Sequence, residues 1–235
     1  MKGSVHVGTS GFAYKEWRPG FYPEGLPQKD FLGFYATRFS AVEIDYTFYR
    51  MPNRKTLESW SGVTGPKFRF ALKASRRITH FERLRLPSDA LDYLTGLLPV
   101  LGARLGVLLF QLPPNFKVDM ERLRAFLDHL PPELPVAFEF RHESWFTGDV
   151  YSLLGGRAAG LVINDSDEGT TPLERTGPIV YVRMRRSVYD DAARRLWQSR
   201  FAEWSEAGGT VYAFVKHEDN PDAPASALAF GSGYD

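Results

Sequence analysis

Glu139 and Arg141 stand two residues apart in AFEFRHESWF (137–146), Glu43 and Asp45 two apart in AVEIDY (41–46), and Lys73 near the end of KFRFALKAS (67–75). General acid–base catalysis needs a titratable group held near a charge that tunes it. Carboxylates set beside cationic groups in this way meet that need, and His142, following Arg141, is a further proton carrier. The candidate catalytic residues are therefore Glu139, Arg141, Asp45, Lys73 and His142. The competing reading is that the same charges neutralise one another as an internal salt-bridge network.

A spacing of two is the period of a β-strand, whose successive side chains point to opposite faces. The pattern recurs along the chain. Strands are expected at 5–10 (VHVGTS), 41–46, 67–75, 105–112 (LGVLLFQL), 137–141, 160–165 (GLVIND), 179–186 (IVYVRMRR) and 210–217 (TVYAFVKH). The run 105–112 is apolar almost throughout, as in a strand buried on both faces. Between the strands, helical spacing marks 28–39, 88–98, 119–130 and 190–207, with Leu123, Phe126, Leu127 and Leu130 the clearest stripe. A short helix is expected at KTLESW and another at 148–154, and TFYRMPNR reads as loop with Pro52 and Asn53 as breakers.

Eight strands interleaved with helices point to a compact (β/α)8 barrel of the TIM type, a single domain over 1–235, with the doubly wound open sheet as the competing arrangement. With the apolar strand faces turned to the helices, the barrel axis receives His6, Gly8 and Ser10; Glu43 and Asp45; Arg69, Lys73 and Ser75; Glu139 and Arg141; and Tyr181, Arg183 and Arg185. This interior is polar and charged rather than filled by Val, Ile and Leu. Catalytic mouths of such barrels lie at the C-terminal ends of the strands. Residues expected to bind ligand there are Ser10, Gln111, Arg183, Arg185, Lys216 and His217, with Tyr14, Trp17, Tyr49 and Trp145 from the aromatic loops. Basic groups predominate, which suits a phosphate or carboxylate held by arginine forks.

Other chemistries are poorly supported. GTSGF (8–12) lacks the GK[ST] element of a P-loop and is no GxGxxG fingerprint. The carboxylates Glu43, Glu139 and Asp165 with His217 could converge on a divalent metal, but no HExxH-type spacing supports it, so no cofactor is assigned. Cysteine is absent, which excludes disulfides and thiolate metal sites. The net charge of +1 offers no global attraction to nucleic acid, although Arg76–Arg77 and Arg183–Arg186 could contact phosphates. No signal-like segment opens the chain and no run approaches a membrane span, so a cytoplasmic protein without membrane partner is expected.

VGTSGFAYKEW, FSAVEIDYTFY, FRFALKA with ITH, RLGVLLFQLPP, FEFRHESWF and VYAFVKHED, in this order, resemble the YecE-like family, also called domain of unknown function seventy-two. The resemblance implies a TIM-type barrel, distantly similar to metal-using sugar isomerases and apurinic endonucleases, and no established reaction. Many relatives carry an Arg followed closely by His-Gly on the seventh strand, where this chain has Arg183-Met184-Arg185-Arg186. Many also end the eighth strand with Asn-Asn-His, where Lys216-His217-Glu218-Asp219 stands here. Both departures make this rim more basic. The expected function is an isomerase-like or hydrolase-like acid–base enzyme acting on an anionic, sugar-like small molecule. The alternatives are a nucleic-acid-binding or nucleic-acid-processing protein, or a non-catalytic ligand-binding module.

Overall fold

Every run with a two-residue alternation forms a strand in the computed structural model, which describes residues 2–216 and 222–234. The strands are β1 (Val5–Thr9), β2 (Ala41–Ile44), β3 (Arg69–Lys73), β4 (Leu105–Gln111), β5 (Val136–Glu139), β6 (Gly160–Ser166), β7 (Gly169–Thr170), β8 (Ile179–Met184) and β9 (Thr210–Val215). The helices are α1 (Phe31–Tyr35), α2 (Tyr46–Tyr49), α3 (Arg54–Val63), α4 (Asp89–Leu97), α5 (Met120–His129), α6 (Gly148–Gly156), α7 (Asp191–Glu206) and α8 (Ala223–Gly231). Five of them begin where a short polar side chain accepts a backbone N–H of the first turn: Asn53, Ser88, Asp119, Thr147 and Asp190.

Eight strands run parallel in the order β1-β9-β8-β6-β5-β4-β3-β2, and β7 pairs antiparallel with β6 alone. The two ends of this path meet, so the architecture is a nearly closed barrel and not an open sheet. The seam between β1 and β2 has its own construction. A Ser10–Glu43 bridge joins its upper end, where Gly11 N–H donates to the Glu43 carbonyl at 2.7 Å. Below it the Tyr35 hydroxyl accepts from Thr9 N–H at 2.9 Å and donates to the Ala41 carbonyl at 3.2 Å. Gly8 permits this closeness, because a Cβ there would stand 2.1 Å from the Ala41 oxygen.

Two apolar cores flank the strands. The larger lies between barrel and helices, built on Phe70, Phe110, Phe138, Trp197 and Phe201 among others. The smaller fills the barrel itself with Ala41, Ala71, Val107, Leu109, Ala137, Val162, Tyr181, Tyr212 and Phe214. The expectation of a charged interior is thus corrected for the lower barrel. Small alanines on three strands make room for the rings on β8 and β9, and the charges are confined to the layer above them.

Local differences follow from short-range competition. The segment 28–39 is a 3-10 turn (Gln28–Asp30) leading into the short helix α1, not one long helix. The expected loop after β2 begins as a turn of helix, α2, held by the Thr47 hydroxyl at 2.7 Å from the Lys73 carbonyl. Residues Arg77–Phe81 form a π-helical turn. Among the described residues no helix is long and apolar enough to cross a membrane.

Candidate functional site

At the C-terminal end of the barrel three carboxylates and four cations form one network. Arg183, from β8, is its centre. Its two terminal nitrogens donate to Glu139 Oε2 at 2.8 Å and to Glu43 Oε1 at 2.8 Å, the second also reaching Asp45 Oδ1 at 3.2 Å. Glu43 further accepts from Ser10 Oγ at 2.5 Å, Tyr181 OH at 2.6 Å and Arg185 at 3.2 Å. Glu139 accepts from Gln111 Nε2 at 2.8 Å and Arg141 Nε at 3.3 Å. Lys73 Nζ lies 3.3 Å from Asp45 Oδ1 and 4.4 Å from the centre of the Phe48 ring. The buried Nε–H of Arg183 meets no acceptor.

Electrostatics divides the carboxylates into two kinds. Burial acts to raise Glu43, but Arg183 and Arg185, with hydrogen bonds from Arg183 and Ser10, overcome it and hold the carboxyl far below its usual range. Glu139 behaves alike: burial is outweighed by Arg183, Arg141 and the Gln111 hydrogen bond, leaving it at about 2. Asp45 goes the other way. Burial and the adjacent Glu43 charge raise it despite Arg183 and Lys73. Lys73 is lowered, by burial first and then by Arg183, against the pull of Asp45. Two carboxylates are held as anions, and a third has its proton affinity raised beside a lysine whose own is lowered.

The structure brings most of the expected residues together. Asp45, Lys73, Gln111, Glu139, Arg141, Arg183, Arg185 and Lys216 all line one cavity of about 1130 Å³ at the barrel mouth. Ser10 lies just beneath, bonded to Glu43. Tyr49 stands on the rim, 67% exposed.

Others are placed elsewhere. His142 turns to cap the short helical turn Glu143–Trp145, its Nδ1 accepting from Ser144 N–H at 3.2 Å. Trp145 is fully buried, stacked on Phe140 at 4.5 Å with Nε1 donating to the Phe116 carbonyl at 2.7 Å. Trp17 is buried against Tyr22 and Phe21, and Tyr14 packs on it while donating to the Ser10 carbonyl at 2.9 Å. These rings close loops over the barrel top. His217 lies outside the described residues.

Of the candidate metal ligands among the described residues, Asp165 does not join Glu43 and Glu139. Asp165 is on the outer face of β6, where Trp197 Nε1 (3.1 Å), Thr170 Oγ1 (2.5 Å) and Arg186 (2.7 Å) donate to it. Arg186 therefore leaves the basic rim, and only Arg183 and Arg185 of that run enter the mouth. Among the described residues no group of three or more His, Asp and Glu is arranged to hold a metal ion.

Two parts of the mouth went unread in the sequence, and a third, Arg76, was read there only as a phosphate contact. His80 and Phe81 reach it from the π-helical turn, whose non-standard period hides which side chains share a face. Arg76 lies over both the Tyr49 and Phe81 rings, at 5.7 and 5.5 Å. The β6–β7 hairpin supplies Asp167 and Glu168 to the opposite wall, its one signal being the Asp167-Glu168-Gly169 turn after β6.

A family model described as a protein of unknown function, DUF72, matches residues 6–233. The UPF0759 protein YunF of Bacillus subtilis (strain 168) is 29% identical over 175 residues, covering 70% of this chain and 61% of YunF, so the match spans less than two thirds of that relative. The UPF0759 protein YecE of Escherichia coli (strain K12) is 29% identical over 220 residues, 81% of this chain and 80% of YecE. Among solved structures, a DUF72 family protein from Thermotoga maritima superposes with a TM-score of 0.82 at 27% identity, covering 97% of both chains. One from Enterococcus faecalis V583 gives 0.76 at 18% identity, covering 97% of this chain and 94% of that one. With the family model spanning nearly all of the barrel, and the same barrel in a homologue, the chain belongs to the DUF72 family, whose function is unknown.

Proposed function

We propose that the barrel mouth binds an anionic, sugar-like small molecule, phosphorylated or carboxylated, and performs acid–base chemistry on it. The observation that carries this reading is the Asp45–Lys73 pair: 3.3 Å apart, shifted toward each other in proton affinity, and facing the cavity. A catalytic group works best when its proton affinity is brought toward neutrality. Asp45 is thus the proton donor or acceptor, and Lys73 its partner. Glu43 and Glu139 are positioning residues: as permanent anions they hold Arg183, whose terminal nitrogens they and Asp45 occupy. The anion is therefore met by cations with donors left over: Lys73, Arg141, with 45% of its side chain exposed, and the rim residue Arg76. Isomerisation or hydrolysis of a sugar phosphate is the reaction class, in a cytoplasmic setting that suits a cysteine-free chain.

Thermal-shift measurements with phosphate, sulfate, carboxylates and a panel of sugar phosphates test binding; turnover of the stabilising compounds tests chemistry. Asp45→Asn is expected to keep ligand affinity within about threefold while turnover falls by about 10²-fold or more. An Asp45→Asn protein as active as wild type, or a wild type that no anion stabilises, overturns the reading.

A further inference from the structure

The rim beside the acid–base pair carries a surface that a simple sugar phosphate would leave unused. Tyr49 and Phe81 are each 67% exposed, an unusual condition for large aromatic side chains in a folded protein. They come from different elements, α2 and the π-helical turn, and the Arg76 guanidinium bridges them by lying over both rings. Aromatic rings and a guanidinium plane arranged together are the surface on which a flat, electron-rich heterocycle stacks. Such rings tolerate every base, since each has a π-face.

Position links this shelf to the charged layer. Phe48 touches Tyr49 edge-on at 5.0 Å between ring centres and carries the Lys73 ammonium over its face at 4.4 Å. Tyr49 on the rim and the Lys73 ammonium that pairs with Asp45 thus share Phe48 as a common neighbour, so that the base and the phosphate of one ligand can address both. The cavity volume of about 1130 Å³ is at the upper end for small-molecule sites and leaves room for more than a sugar phosphate. The geometry points to a nucleoside phosphate as the ligand class, with its base on the Tyr49–Arg76–Phe81 shelf and its phosphate toward Lys73 and Arg141. This inference rests on the anion-binding reading of the mouth and specifies its substrate class.

The test is isothermal titration of the full chain with adenosine 5′-monophosphate, ribose 5-phosphate, adenosine and inorganic phosphate. The nucleotide is expected to bind about tenfold or more tightly than ribose 5-phosphate. Tyr49→Ala/Phe81→Ala should erase that advantage and leave ribose 5-phosphate affinity unchanged, while Phe81→Trp should retain it. Both rings are mostly exposed, so the variants keep the core intact; unchanged unfolding curves verify this. Ribose 5-phosphate binding as tightly as the nucleotide overturns the nucleoside assignment alone. A double variant that keeps the preference does the same, as does tight, salt-sensitive binding of a single-stranded oligonucleotide with no binding of the mononucleotide. Failure of every anion to bind overturns the anion-binding reading as well.

Discussion

Glu43 and Asp45 are two residues apart and differ in what their charge does for the protein. Glu43 is fully buried and shares its oxygens among Arg183, Arg185, Ser10 and Tyr181. Replacing it by Gln would leave Arg183, 3% exposed, with a weakened set of partners. Breaking a buried ion pair from one side is costly, and Glu43→Gln is expected to lower the unfolding free energy by about 3 kcal/mol in a urea titration. Asp45 is the opposite case. Its raised proton affinity means that ionising it works against folding, so Asp45→Asn should leave stability unchanged or slightly higher. A site kept for function at the expense of stability behaves in this manner. Equal destabilisation by the two substitutions would make both carboxylates structural and remove the distinction between them. The sequence places both residues on one strand face; it does not reveal that the bonds to Glu43 come from Ser10 at the end of β1 and from Tyr181, Arg183 and Arg185 on and just after β8.

The elements themselves were largely legible, since a strand packed between a barrel interior and a helix layer must alternate, and β2, β3, β5 and β8 do so openly. What alternation cannot convey is layering along the axis. Ala71, Ala137 and Val162 occupy inward positions just as Glu43 and Glu139 do, so parity alone cannot separate an apolar floor from a charged ceiling. The aromatic loops were misread for a related reason. Trp17 and Trp145 follow strands, as mouth residues would, yet their large apolar area is better buried against Tyr22 and Phe140 than left facing a polar cavity. The β1–β2 seam was invisible because it depends on a residue of α1. Tyr35 is fully buried and its phenol stands between the Thr9 N–H and the Ala41 carbonyl. Tyr35→Phe keeps the ring and removes this link, leaving two buried backbone groups unpaired. A loss of about 2 kcal/mol or more is expected in denaturant unfolding, with amide exchange at Thr9 accelerating beyond the global effect. A neutral Tyr35→Phe would show that the seam is held by other contacts.

Across the whole molecule the ionisable groups are sorted by level: the charged network crowns the barrel, and at its base the half-buried His6 is the counterpart. The imidazole lies 3.1 Å from both Ser4 Oγ and Ser40 Oγ and stacks on Tyr212 at 5.2 Å. Burial, reinforced by Arg69, lowers it to about 4 from an unfolded value of 6.5. Between those values the unfolded chain binds a proton that the folded chain refuses. The contribution of His6 to stability is therefore complete above 6.5 and declines as the pH falls toward 4, by about 2 kcal/mol at about pH 5. His80 is lowered too and adds in the same direction, whereas Asp45, being raised, is relieved by acid and opposes it. The two fixed carboxylates act later. Their folded proton affinities are depressed, so they support folding above the unfolded value of 4.5, and that support is lost as the pH falls toward about 2 for Glu139 and lower for Glu43. Acid unfolding should thus proceed in two stages governed by opposite ends of the barrel. His6→Gln is the decisive variant: whatever its stability at neutral pH, its unfolding free energy should fall less than that of the wild type between about pH 7.5 and pH 5, and should then follow the wild-type slope below about pH 4. Parallel curves for the two proteins through the upper window would remove His6 from the first stage and leave that decline to the mouth.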